Sequence, residues 1–192
     1  MKHLLIVGAG GHGRSVAEAA SLTGGFALAG FVDDRAEVML AADGWPPVLG
    51  PASSLSAYRG KADAAIVAIG NNNAREALCQ ALVDAGFELV TIVHPRAFVS
   101  PSATVGAGSA IMAGAIVGTE AVLGTGAIVN CGAVVDHHCR VEDFGHLGVN
   151  AAMAGGSVLG RGAWMQAGAV LGYRVQVAAR EVLRPGQAMC AN

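Results

Sequence analysis

AVLGTGAIVNCGAVVDHHCRV, residues 121–141, decides the fold. Every sixth residue in it is aliphatic: Leu123, Val129, Val135 and Val141. The same spacing runs outward on both sides, through Val99, Val105, Ile111 and Val117 before it. After it come Leu147, Met153, Leu159, Met165, Leu171 and Val177. Four residues after each, the side chain is usually tiny: Ala103, Ser109, Ala115, Ala121, Ala127, Ala133, Cys139, Gly145, Ala151, Ser157, Ala163 and Ala169. A period of six is not the 3.6 of a helix, and it is longer than the plain alternation of a strand. It describes a short strand plus a corner, with one aliphatic residue turned inward and a small residue where the chain bends. Three such edges make a triangular coil, and stacked coils make a parallel β-helix. On this reading the repeat fades after Val177, ahead of the closing REVLRPGQAMCAN.

The first half has a different grammar. Leu4–Val7, Phe26–Val32, Ala64–Ile69 and Leu89–Val93 read as strands, and Ser15–Leu22 and Ala74–Ala85 as helices. Strands alternating with helices predict a small parallel sheet. Asp43–Pro51, with Trp45-Pro46-Pro47, reads as a loop. The expected organisation is an α/β, Rossmann-like domain over 1–95 followed by a β-helix domain over 96–192. Between the first strand and first helix lies Gly8-Ala9-Gly10-Gly11-His12-Gly13, with Asp33 some way beyond. This is a G-x-G-x-x-G loop, whose N–H groups and helix N-terminus suit a pyrophosphate. Four strands are too few for a full dinucleotide fold, but a sugar nucleotide carries a pyrophosphate too.

Composition narrows the classes. The chain has 192 residues, is 53% hydrophobic and 14% charged, and has a formal net charge of −2. With no basic run, nucleic acid is not an expected partner. Mean hydropathy is +0.51. Even so, charges, Gly and Pro break up every long apolar stretch, so no membrane insertion is expected. The apolar run at the start ends within a few residues in the glycine cluster, unlike a signal peptide. Cys79, Cys131, Cys139 and Cys190 form no CxxC pair and read as free thiols, so a cytoplasmic protein is expected.

Chemistry concentrates in Asp136-His137-His138-Cys139, polar residues set in small apolar surroundings. The longer stretch GAVVDHHCRVEDFGHLGVNAAMAGG, residues 132–156, resembles the left-handed β-helix acyltransferases that act on sugars. It is most similar to the N-acetyltransferases of UDP- or GDP-linked 4-amino-4,6-dideoxy sugars. Members show D-H-(D/E)-C here, with a second His nine residues after the first. The resemblance covers nearly the whole chain, α/β unit first and β-helix second. It implies acetyl-CoA as cosubstrate, a nucleotide sugar as acceptor, and a homotrimer with active sites between neighbouring prisms.

Residue by residue, His137 matches the catalytic His, and an imidazole titrates near neutrality, as a general base should. The base needs a carboxylate to orient it, and where relatives have an acid this chain has His138. Asp136 and Asp143 are the candidates for that role, with turn capping the other reading of Asp136. His146 matches the second His, which the resemblance places near the acetyl group. His146 or a backbone N–H is the candidate oxyanion donor. Asn130 matches a position that helps hold the acceptor amine, and equally suits a corner. Gly155 and Ala167 fall where the pantetheine arm of CoA would run. In the α/β unit, Gly10, Gly11, His12, Gly13, Asp33 and Asp34 would face the nucleotide sugar, with Gly70 to Asn73 lining the same crevice.

Other readings compete. His137, His138 and His146 invite a zinc site, as in β-helix carbonic anhydrases. Adjacent strand residues point to opposite sides, and the spacing differs from that family, so no metal is expected. A nicotinamide-dependent oxidoreductase would use the glycine loop but leave the repeat unexplained. A non-catalytic nucleotide-sugar-binding trimer and a sialic acid O-acetyltransferase are the remaining alternatives.

Overall fold

A computed structural model describes residues 1–34 and 44–191. The chain begins with β1 (Lys2–Val7), α1 (Gly11–Thr23), β2 (Phe26–Val32), a 3-10 helix (Ala52–Tyr58), β3 (Ala64–Val67), α2 (Asn72–Asp84) and β4 (Glu88–Leu89). The strands form a parallel sheet in the order β2-β1-β3-β4. Leu4, Leu5, Ile6 and Val7 are all buried, as a strand covered on both faces requires. Gly24 ends α1 in the left-handed region (φ 70), and Asn71 caps α2 by accepting from the Ala74 N–H at 3.0 Å. Of the expected loop Asp43–Pro51, Asp43 lies outside the described residues. The rest lies along β2, with Val48 bridging Phe31.

Seventeen two-residue strands follow, from Ile92–Val93 to Ala188–Met189, in three parallel sheets of five, six and six strands. Each residue pairs with the one 18 positions on: Val134 with Ala152, Val135 with Met153, His146 with Trp164. The inward column is the aliphatic period read from the sequence, and Val117 through Leu171 of that column are buried. One residue in each six has a left-handed φ. Gly takes eight of these corners from Gly108 to Gly186, and Glu120, His138, Phe144, Asn150, Arg174 and Arg180 take the others. A left-handed φ costs a non-glycine residue roughly 1–2 kcal/mol.

Two expectations need correction. The repeat does not fade after Val177: Leu183 is buried, Met189 packs on the same core, and both keep the six-residue step. Arg180-Glu181 and Arg184-Pro185 fill the last corners with polar residues and hide the period. Leu89–Val93 is not one strand either. Glu88–Leu89 joins β3, whereas Ile92–Val93 pairs with Ala110–Ile111 of the β-helix.

The two halves share a core. Val16, Ala17 and Ala20 of α1 pack with Ile92, Ala110 and Met112 on the outer face of the β-helix. Arg75 of α2 ties them together more specifically. It is fully buried, and its guanidinium donates to Gly126 O (2.8 Å), Phe144 O (2.7 Å) and Ile69 O (3.0 Å). Its partners are carbonyls rather than a carboxylate, and burial pulls its pKa down to about 10. Arg75→Ala would strand three carbonyls at the junction. We expect a loss of about 3 kcal/mol in urea unfolding, and a loss under about 0.5 kcal/mol would contradict this role.

Candidate active site

The glycine loop sits at the C-terminal end of β1 and opens on a cavity of about 480 Å³ lined by Gly8, Gly10, Gly11, His12, Asp33, Asp34 and Gly70. Gly8 has φ 108, and a Cβ there would meet Ala68 O at 2.8 Å. A Cβ on Gly13 would strike Gly8 O, so helix and strand can approach only as glycines. Asp33 is buried and accepts from the Ala9 N–H at 2.9 Å, which fixes the loop. Asp34 accepts from the Ala52 N–H at 2.8 Å. Gly10, at the N-cap of α1, brings no side-chain cap, which leaves the helix N-terminus to the cavity.

A second group lies where the cavity floor meets the β-helix. His146 is buried, stacks on Trp164 (centroids 5.3 Å apart, planes 13° apart), and its Nδ1 lies 3.3 Å from Gly70 O. A carbonyl only accepts, so Nδ1 carries the proton. Burial, aided by the charges of Arg75 and His12, lowers the His146 pKa to about 3. Nε2 is therefore an acceptor at neutral pH and cannot donate to an oxyanion. Burial, then Arg75, likewise lowers His12 to about 4, and its Nε2 is buried without a hydrogen-bond partner.

Asp136, His137 and His138 form a corner of the β-helix. His138 has φ 56, so the alternation of a strand does not apply and the two rings converge. Their Nδ1 atoms are 2.9 Å apart and their planes nearly perpendicular, at 86°. His138 Nε2 is 2.9 Å from Glu120 Oε2. Asp136 Oδ1 accepts from the His137 N–H at 2.7 Å, and its Oδ2 is 3.7 Å from His137 Nε2. Asp136 is thus a corner cap and a nearby charge, not a hydrogen-bonded partner of the ring. A Cβ on Gly155 would collide with His137 Cε1 and Nε2, so this glycine makes room for the imidazole.

The other candidates are separate from this corner. Asp143 is occupied, accepting from the Thr125 N–H at 2.9 Å and pairing with Arg161 at 2.6 Å. Asn130 caps its own corner through the Cys131 N–H at 2.8 Å. Ala167 is exposed at a corner and accepts from the Gly186 N–H. Cys139 is buried and its thiol faces Ala154 O and Ser157, as a packing residue. Among the described residues no three His, Cys, Asp or Glu are grouped to hold a metal ion. Sequence reasoning missed Glu120, Arg75 and Trp164. The 18-residue coil was the signal available for Glu120 and Trp164, because it stacks 120 on 138 and 146 on 164.

Residues 3–82 match the model of the PglD N-terminal domain family. Perosamine N-acetyltransferase from Caulobacter crescentus, solved with CoA and GDP-perosamine, superposes with a TM-score of 0.90 at 36% identity. That match covers 98% of this chain and 89% of the other. The chain belongs to the amino-sugar N-acetyltransferases of the left-handed β-helix class. The acetyltransferase domain of PglB from Neisseria gonorrhoeae, solved with acetyl coenzyme A, matches this acetyltransferase at 34% identity over 98% of it and 93% of that domain, with a TM-score of 0.90. The UDP-N-acetylbacillosamine N-acetyltransferase of Bacillus subtilis is 32% identical over 102 residues, which span 52% of this acetyltransferase and 46% of that relative.

The buried histidines make the fold acid-sensitive. Folded His12 and His146 stay neutral down to about 4 and about 3, whereas unfolded histidine protonates below 6.5. The unfolded chain then binds more protons, so stability is fully present above 6.5 and falls as pH drops towards 4. Urea midpoints at about pH 7.5 and about pH 5 should show this fall, smaller in His146→Gln than in wild type. Equal falls in the two proteins would contradict it.

Proposed function

We propose that this acetyltransferase moves an acetyl group from acetyl-CoA to the amine of a nucleotide-linked 4-amino-4,6-dideoxy sugar, with His137 as general base. The supporting observation is the corner itself. His137 is half-exposed, and its imidazole occupies the space that the missing side chain of Gly155 leaves. The relatives solved with CoA and a GDP-sugar supply the substrate class. In the glycine loop, the N–H groups and the N-terminus of α1 would hold the pyrophosphate. Gly10, Gly11, His12, Asp33 and Asp34 would surround the nucleotide, with Gly13 behind the loop, packed against Gly8 rather than lining the cavity.

The step balances simply. The amine nitrogen attacks the thioester carbon and a C–N bond forms. His137 Nε2 takes the amine proton, Asp136 favours the resulting imidazolium by its charge, and a backbone N–H stabilises the oxyanion. The C–S bond then breaks, and CoA leaves as a thiol once it regains the proton. His146 would accept a hydrogen bond near the acetyl group rather than donate one. Asn130 would orient the amine, and Gly155 and Ala167 would border the pantetheine arm.

A homotrimer completes this reading. Phe98, Ile116, Val134, Ala152, Val170 and Ala188 form one outward ladder, all apolar, with Phe98 58% exposed and Ile116 and Val170 each 42% exposed. His137 follows that ladder at its corner, so a neighbouring prism on this face would close the site. With acetyl-CoA and sugar nucleotides as substrates, the enzyme would work in the cytoplasm, in glycan or lipopolysaccharide assembly.

Thiol release from acetyl-CoA with a panel of UDP- and GDP-linked 4-amino sugars and free sialic acid tests the reaction. We expect turnover with an amino sugar and at least about a 100-fold loss of kcat in His137→Ala. Turnover of sialic acid alone would favour O-acetylation. An active His137→Ala would remove the base.

A further inference from the structure

We propose that Glu120 is a positioning residue that fixes the tautomer of His137 through His138, so that the orienting carboxylate comes from the preceding coil. The role deepens the acetyl-transfer reading and rests on it for its catalytic meaning.

With His138 neutral, the contacts at this corner allow one arrangement. A carboxylate only accepts, so His138 Nε2, 2.9 Å from Glu120 Oε2, is the donor. A neutral His138 then has a bare Nδ1. That atom faces His137 Nδ1 at 2.9 Å, so His137 Nδ1 must carry the proton. Its Nε2 is left with a free lone pair, and Nε2 is the atom beside Gly155. Left to itself an imidazole prefers the opposite tautomer, with Nε2 protonated and useless as a base. When Nε2 takes a proton, the charge on His137 is shared along the chain of hydrogen bonds towards Glu120.

The fold builds this relay on purpose-made corners. Glu120 and His138 are one coil apart, 18 positions, and both have φ 56. Ser102, a coil earlier, accepts from the Glu120 N–H at 3.1 Å and anchors the first corner. Glycine takes eight of these corners, and Glu120 and His138 are side chains held at two corners stacked one coil apart. The Glu120–His138 pair is 60% exposed on each side. Exposed pairs contribute little to stability. An acid in place of His138 would reach His137 Nδ1 directly and make the relay unnecessary.

The test combines ¹⁵N NMR of the imidazoles in the substrate-free protein with steady-state kinetics. Wild type at alkaline pH should show His137 protonated at Nδ1, and E120A should shift it towards the Nε2–H form. With the acceptor found in the panel, E120A should lower kcat about 10- to 100-fold, an effect typical of an orienting partner, with KM nearly unchanged. H138E places a carboxylate directly at His137 Nδ1, so adding E120A to it should cost little further. An Nε2–H tautomer in wild type, or an equal E120A defect in both backgrounds, would overturn the relay. If no acceptor is turned over, the acetyl-transfer reading fails, while the tautomer measurement still decides the relay.

Discussion

Everything in this molecule depends on the backbone ladder that pairs each residue of the β-helix with the one 18 positions on. Because strands are two residues long, no single strand has stability of its own. Each is held by the coils above and below, as in other solenoids. The inward aliphatic column fills the prism, and the corners must turn within one or two residues. Glycine meets that requirement at eight corners, and side chains at the others are placed with the register of the coil. The site follows from the same constraint: Glu120 above His138, and Gly155 below His137.

The α/β half depends on this scaffold as well. Its α1 shares apolar contacts with the outer face of the β-helix, and Arg75 reaches from α2 into two β-helix carbonyls. The glycine-loop cavity therefore has a fixed relation to the prism through Gly70, which accepts from His146. A buried cation with carbonyl partners also sets the electrostatics of the junction. It helps keep His12 and His146 neutral, while His137 and His138 face outward at the corner.

Much of this was legible in the sequence. The period of six specified the β-helix, since a short inward-facing strand and a tight corner with a small residue recur together at that spacing. The glycine loop stood out because close backbone approach demands glycine, and it lines the cavity together with Asp33 and Asp34. What stayed hidden was three-dimensional register. Nothing in the sequence singled out Glu120, and the rings of His137 and His138 were expected to diverge, because corner geometry is not visible as a sequence period. Nothing in the sequence singled out Arg75, since burial of a lone cation depends on carbonyls far away in the chain. The final coils were missed because their corners are polar although their inward residues, Leu183 and Met189, keep the step.

The central claim is that one corner of the β-helix presents a bare His137 Nε2 to the acceptor amine. A crystal structure with CoA and the acceptor nucleotide sugar bound together tests it most directly. We expect the amine within hydrogen-bonding distance of His137 Nε2, the pyrophosphate on the glycine loop, and the thiol of CoA beside Gly155. An amine held elsewhere, with His137 Nε2 facing solvent or carrying its own hydrogen-bond acceptor, would contradict it.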